Sequence, residues 1–143
     1  MRSSATILLG AILACSCARR APAACDLQAG PCTLPAGPDV LVTLEVSPRP
    51  IRAAAELTFT VETRRGPDPA AGFAAEISLQ MPGMFMGENR VALAAAGAGR
   101  HRGKGTVVRC GSGRRDWVAE VILRPTDPAA PPLRAAFPFT VAE

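Results

Sequence analysis

The feature that most constrains this chain is a period-two alternation of apolar and polar residues, repeated between turns rich in Gly and Pro. Val40, Val42, Leu44 and Val46 alternate with Leu41, Thr43, Glu45 and Ser47, and Leu57, Phe59 and Val61 with Thr58, Thr60 and Glu62. Phe73, Ala75, Ile77, Leu79 and Met81 continue the pattern, then Val91 and Leu93, then Trp117, Ala119, Val121 and Leu123, and finally Phe137, Phe139 and Val141. Residues 104–109 supply one further, less regular strand. Successive side chains of a strand point to opposite faces, so each run predicts a sheet with one face buried and one wet. No helical period and no repeat competes with it.

The 13 Gly and 14 Pro fall between these runs. Pro48 and Pro50 stand just past the first strand, where a missing N–H costs no ladder bond. Residues 64–71 and 125–132 read as loops. About seven short strands with such turns predict an all-β fold, an immunoglobulin-like antiparallel β-sandwich over residues 37–143. Hairpin-like succession places the loops 82–88 and 110–115 at one pole. The Gly97–Gly99 turn, His101 and the start of the first strand then fall at the other pole.

The N-terminus predicts export. Arg2 precedes a short apolar stretch from Ala5 to Ala14, which falls short of the ~20 residues needed to span a bilayer. Ile12-Leu13-Ala14-Cys15 resembles a bacterial lipobox, giving a lipoprotein signal peptide over 1–14 and a lipidated Cys15; cleavage after Ala21-Pro22-Ala23 is the alternative. Residues 15–36 then form a tether carrying cysteines. The expected location is the bacterial cell envelope, as a periplasm-facing protein held to the membrane by its lipid anchor.

Charge and composition narrow the function classes. The formal net charge is +4, with basic clusters at 100–104 and 109–115. Such clusters suit a solvated surface or anionic lipid headgroups. An exported chain with one Trp, no Tyr and five Phe offers little for bases to stack on, so no nucleic-acid partner is expected. His101, the single histidine, sits among Arg and Lys and reads as a solvated surface residue. Without a second His there is no nucleophile–base pairing near Cys110 or Ser112. Glu45, Glu56, Glu62, Glu76 and Glu120 lie on outward strand faces with no convergent pair, so no enzyme activity is expected.

Met81-Pro82-Gly83-Met84-Phe85-Met86-Gly87 is the segment least explained by folding. Thioether sulfur is a soft ligand, and it binds Cu(I) in an oxidising compartment without forming disulfides. Met81 ends an inward register and suits the core; Met84 and Met86 stand as ligands or as loop packing, and Phe85 points the opposite way. The cysteines leave alternatives open. Cys17 lies beside the lipidation site. Cys25 and Cys32 enclose a Gly-Pro loop and could form a local disulfide. Cys110, at the methionine pole, could complete a soft Met/Cys site or pair with Cys25 or Cys32.

The run from Met81 to Arg90 resembles the motif of YtkA-like domains, related to the periplasmic part of FixH-type proteins. In those a Met-Pro-x-Met turn follows an alternating strand, and a Gly-Arg-x-Trp strand comes about thirty residues later. Here that strand reads Gly113-Arg114-Arg115-Asp116-Trp117, with an extra Arg before the Asp, and no His stands beside the Met motif. The resemblance covers residues 40–141, its specific part 77–123. It implies an exported immunoglobulin-like domain linked to copper handling or respiratory oxidase assembly, with an envelope copper protein or an oxidase subunit as partner.

The resulting expectation is copper(I) bound by Met84 and Met86, with Met81 and Cys110 assisting. The alternative is an interaction module without metal, in which Met84, Phe85 and Met86 anchor a membrane-protein partner. A structural envelope protein with no defined ligand is the third reading.

Overall fold

The computed structural model describes residues 25–143. The expected signal peptide over 1–14, the lipidation of Cys15 and the alternative cleavage after Ala23 lie outside the described residues. Among the described residues, no helix is long and apolar enough to cross a membrane.

The chain forms ten strands: β1 (Cys32–Pro35), β2 (Val40–Ser47), β3 (Leu57–Arg65), β4 (Asp68–Pro69), β5 (Phe73–Gln80), β6 (Arg90–Ala92), β7 (Ala94–Ala95), β8 (Arg100–Gly105), β9 (Asp116–Pro125) and β10 (Leu133–Thr140). One sheet runs β1-β2-β3-β8-β7, with the short β4 on β3, and the other runs β10-β9-β5-β6. Every ladder between strands is antiparallel. The facing orders β2-β3-β8 and β10-β9-β5 are those of an immunoglobulin-like sandwich.

The alternation read from the sequence maps onto this packing. Val40, Val42, Leu44 and Val46 are buried in one core with Phe59 and Val61 of β3 and with Ile77, Leu79, Trp117 and Phe137 of the other sheet. Fully burying each such side chain contributes roughly 1.5–3 kcal/mol relative to exposure, which makes register the most strongly enforced property of the fold. On the wet faces the carboxylates meet guanidinium or ammonium groups: Glu45 meets Arg49, Glu56 meets Lys104, Glu62 meets Arg100, Glu120 meets Arg134, and Glu76 meets both Arg90 and Arg124. Exposed pairs of this kind contribute about 0–1 kcal/mol each.

Three strands were not expected: β1, β4 and β7. The first lies within the expected tether over residues 15–36, of which 15–24 fall outside the described residues; the described part, from Cys25, packs on the sandwich. Cys32 and Leu34 lie opposite Leu44 and Val42 on the edge of the first sheet, and Leu27 is fully buried. Gln28 fixes the segment further. Its amide nitrogen donates to the carbonyls of Ile51 (3.1 Å) and Thr140 (2.6 Å), and its amide oxygen accepts from the Ile51 N–H (2.8 Å). Polar Gln and short Gly/Pro spacing hid this in the sequence, since no alternation marks the segment.

The expected strand over 104–109 is also displaced. The structure places it at Arg100–Gly105, with Arg100, Arg102 and Lys104 outward and His101 inward opposite Val61. His101 is therefore buried, not a solvated surface residue, and its Nε2 lies 3.0 Å from the Phe73 carbonyl oxygen, linking the two sheets. Gly103 explains why the run lacks a legible pattern: a Cβ there would stand 2.2 Å from the Ala92 carbonyl oxygen, so the close approach of the 91–95 segment requires glycine.

Candidate functional site

Strand succession brings one pole together from five segments: 25–31, 48–56, 81–89, 106–115 and the stretch after β10. The opposite pole lies an eight-residue strand away, about 26 Å.

The methionine loop begins as β5 ends. Met81 is still in the inward register and is buried. Pro82 and Gly83 then occupy the corner of a turn closed by the Met84 N–H donating to the Met81 carbonyl at 3.1 Å. Gly83 has φ of 72°, so Pro at the second position and Gly at the third give a type II turn, for which this dipeptide is well suited. Beyond it Met84 is partly exposed, Phe85 is 89% exposed, and Met86 is half-buried against the core. The three methionines and Phe85 line one shallow depression of about 300 Å³. The amide of Asn89 reaches the Thr106 carbonyl at 3.3 Å and ties this loop to the next one.

That next loop is pinned by Val107, which is fully buried and accepts through its carbonyl from the Ala54 N–H at 2.8 Å. A second tight turn follows, with the Gly113 N–H donating to the Cys110 carbonyl at 3.1 Å. It presents the Cys110 sulfur toward the methionine turn. Sγ of Cys110 lies 3.7 Å from Sδ of Met84 and 3.0 Å from Oγ of Ser112. Cys110 is the free cysteine among the described residues, because Cys25 and Cys32 are bonded to each other, with Cα atoms 5.5 Å apart. The alternative pairing of Cys110 with Cys25 or Cys32 is thereby excluded.

Hydrogen bonding from the Ser112 side chain and N–H pulls the Cys110 thiol below its ordinary value, outweighing the opposite effect of burial; the Arg114 N–H and guanidinium add to the lowering. Donors that stabilise a thiolate make the sulfur both a better nucleophile and a better metal ligand. The next carboxyl, Asp116, is held below the usual carboxylate range by the Arg114 guanidinium hydrogen-bonded to it.

Of the residues the sequence singled out, Cys110 and Met84 are in direct contact, while Met81 lies in the core beneath the turn. Met86 shares a depression with both other methionines. Among the described residues, no group of three or more His, Cys, Asp or Glu converges, so a metal here would depend on thioether sulfur. The sequence reading missed Ser112 as a partner of Cys110 and missed a second feature of this pole. A cleft of about 500 Å³ opens beside Cys110, walled by Arg52, Arg109, Arg114 and Arg115 over Trp117. The signal for Arg109–Arg115 was visible as a basic cluster. Arg52 was not, because only the bridge between Arg52 and Ala142 carries it there.

Comparison with protein-family models, with curated proteins and with solved structures finds no match to this chain.

Proposed function

We propose that this chain is an exported, lipid-anchored envelope domain that binds Cu(I) at its methionine pole and carries or buffers it, in copper handling or respiratory oxidase assembly. Met84 and Cys110 supply the primary sulfurs, and Met86 and Met81 complete the set from the same loop. The observation that carries this reading is the 3.7 Å contact between the Met84 and Cys110 sulfurs. That contact would let the thioether and the thiolate serve one soft ion together.

The chemistry of the donors agrees with the choice of metal. Thioether and thiolate are soft ligands and favour Cu(I) over the harder divalent ions. A site on loops at the rim of a rigid sandwich can exchange its cargo without disturbing the core. The Cys25–Cys32 disulfide accords with an oxidising compartment. The resemblance of residues 81–90 and 113–117 to YtkA-like and FixH-type domains supports the same assignment, as does the lipobox-like run ending at Cys15.

The test is an anaerobic Cu(I) titration of residues 24–143 against a competing chelator. One tight equivalent is expected, weakened by at least an order of magnitude in Met84→Leu/Met86→Leu, which keeps apolar bulk and removes two sulfurs. A double variant that bound like the wild type would reject the site.

One observation favours a second reading. Phe85 is 89% exposed at the tip of the loop, flanked by Met84 and Met86. An aromatic residue between two flexible methionines suits an apolar anchor for a membrane-protein partner. Under that reading the double Leu variant retains its partner and the protein never held copper.

A further inference from the structure

The cleft shares Cys110 and Arg114 with the copper reading, but Arg52 and Arg109 on its other walls have no part in that reading. Arg114 is engaged by Asp116 and Arg115 by Glu143. Arg52 and Arg109 are exposed, and among the described residues neither makes an ion pair or a side-chain hydrogen bond. Two guanidinium charges thus remain uncompensated on one concave surface. The cleft is also of the size of small-molecule sites, about 500 Å³, and its walls include Val108, Val141 and Ala53. Trp117 lines it as well, and the buried indole Nε1–H has no acceptor among the described residues.

We propose that this cleft is an oxyanion site that takes a phosphate monoester, with Arg52 and Arg109 as its primary ligands. Guanidinium forks match phosphate oxygens two at a time, so they recognise this group by shape as well as charge. A phosphate monoester carries between −1.5 and −2 at neutral pH, which balances two unpaired guanidinium groups better than a carboxylate does. Arg114 and Arg115 are paired with Asp116 and Glu143, which leaves Arg52 and Arg109, among the described residues, as the free cations of the cleft.

Two sources can offer this group. One is a soluble phosphate. The other is the headgroup of phosphatidic acid, because Phe85, Met84 and Val108 are the exposed apolar side chains of the same pole and could enter a bilayer surface beside it.

The proposal is independent of copper and is tested on metal-free protein. Residues 25–143 contain both sheets and their whole described core, so residues 24–143 serve as the folded unit. The chain has one Trp, and its indole N–H therefore gives a single resonance to follow in ¹⁵N-labelled protein. Inorganic phosphate is titrated at constant ionic strength, and sedimentation is measured with vesicles of phosphatidylcholine alone or containing phosphatidic acid.

A saturable shift of the Trp117 indole signal with phosphate, weakened at least tenfold in Arg52→Gln/Arg109→Gln, supports the site with a soluble guest. Binding to phosphatidic acid vesicles but not to phosphatidylcholine, lost in the same variant, supports it with a lipid guest. Arg64→Gln/Arg102→Gln removes equal charge elsewhere and is expected to behave as wild type. A shift that never saturates together with no selective vesicle binding overturns the proposal. So does an equal loss in the control variant, which would make the attraction a matter of net charge alone.

Discussion

Sγ of Cys110 lies 3.7 Å from Sδ of Met84, although the two residues are 26 positions apart and sit on separate loops. If both sulfurs ligate one ion, their contributions are coupled. Met84→Leu and Cys110→Ser should each weaken Cu(I) binding by an order of magnitude or more. The double variant should lose less than the product of the two, with a coupling of about 1 kcal/mol or larger in a double-mutant cycle. Additive losses would mean that the sulfurs touch without sharing a metal.

The Ser112 hydroxyl, 3.0 Å from the same sulfur, sets the protonation of Cys110. Its hydrogen bond lowers the thiol pKa, so the thiolate forms at lower pH than in a free cysteine. Iodoacetamide reacts with the thiolate, and the midpoint of its rate against pH should therefore fall below that of a model thiol. Ser112→Ala removes the largest cause and should move the midpoint upward. An unchanged midpoint would show that the hydroxyl is a bystander.

The alternation made most of the sandwich legible because burial enforces it residue by residue: Val42, Phe59, Ile77, Trp117 and Phe137 all lie on the faces the pattern assigns. The poles were legible for the same reason, and with them the meeting of the methionine loop and Cys110. What stayed hidden was fixed by non-periodic contacts. Leu27 and Gln28 join the core through three hydrogen bonds and one buried side chain, which leave no repeat in the sequence. His101 was misread from its charged neighbours, since Gly103 and Gly105 interrupt the pattern that would have shown it facing inward. Arg52 enters its cleft across a distance no local motif encodes.

Gln28 offers a direct measure of how firmly the N-terminal segment belongs to the domain. Its side chain makes three hydrogen bonds to backbone groups of Ile51 and Thr140. Each contributes about 0.5–1.5 kcal/mol net, and truncation also strands its partners, so Gln28→Ala should cost about 2 kcal/mol in urea unfolding. The m-value should not change, because the surface exposed on unfolding is nearly the same. A cost below about 0.5 kcal/mol would return the segment to the status of a tether.

The disulfide and the free thiol can be separated by counting. Residues 24–143 contain Cys25, Cys32 and Cys110, of which the first two are joined. A thiol reagent should find one equivalent in denaturant before reduction and three after it. Removing the link with Cys25→Ala/Cys32→Ala should lower stability by about 2 kcal/mol, the loop-closure value for so short a ring. Three equivalents without reduction would leave Cys110 competing with two more thiols for any metal, and the copper titration would have to be repeated with both of them replaced.

Phe85 separates what the loop does for the fold from what it does for a partner. At 89% exposed it buries little surface on folding, so Phe85→Ser should leave stability within about 0.5 kcal/mol of wild type. Met81→Ala, by contrast, empties a buried position and should cost about 2–5 kcal/mol. Phe85 carries no sulfur, so Cu(I) affinity should also be unchanged. If the loop also anchors a membrane protein, crosslinking from position 84 in intact membranes should fall sharply in Phe85→Ser while both other properties hold. A drop in copper affinity instead would mean that the ring shields the metal, and the exposed aromatic would belong to the site itself.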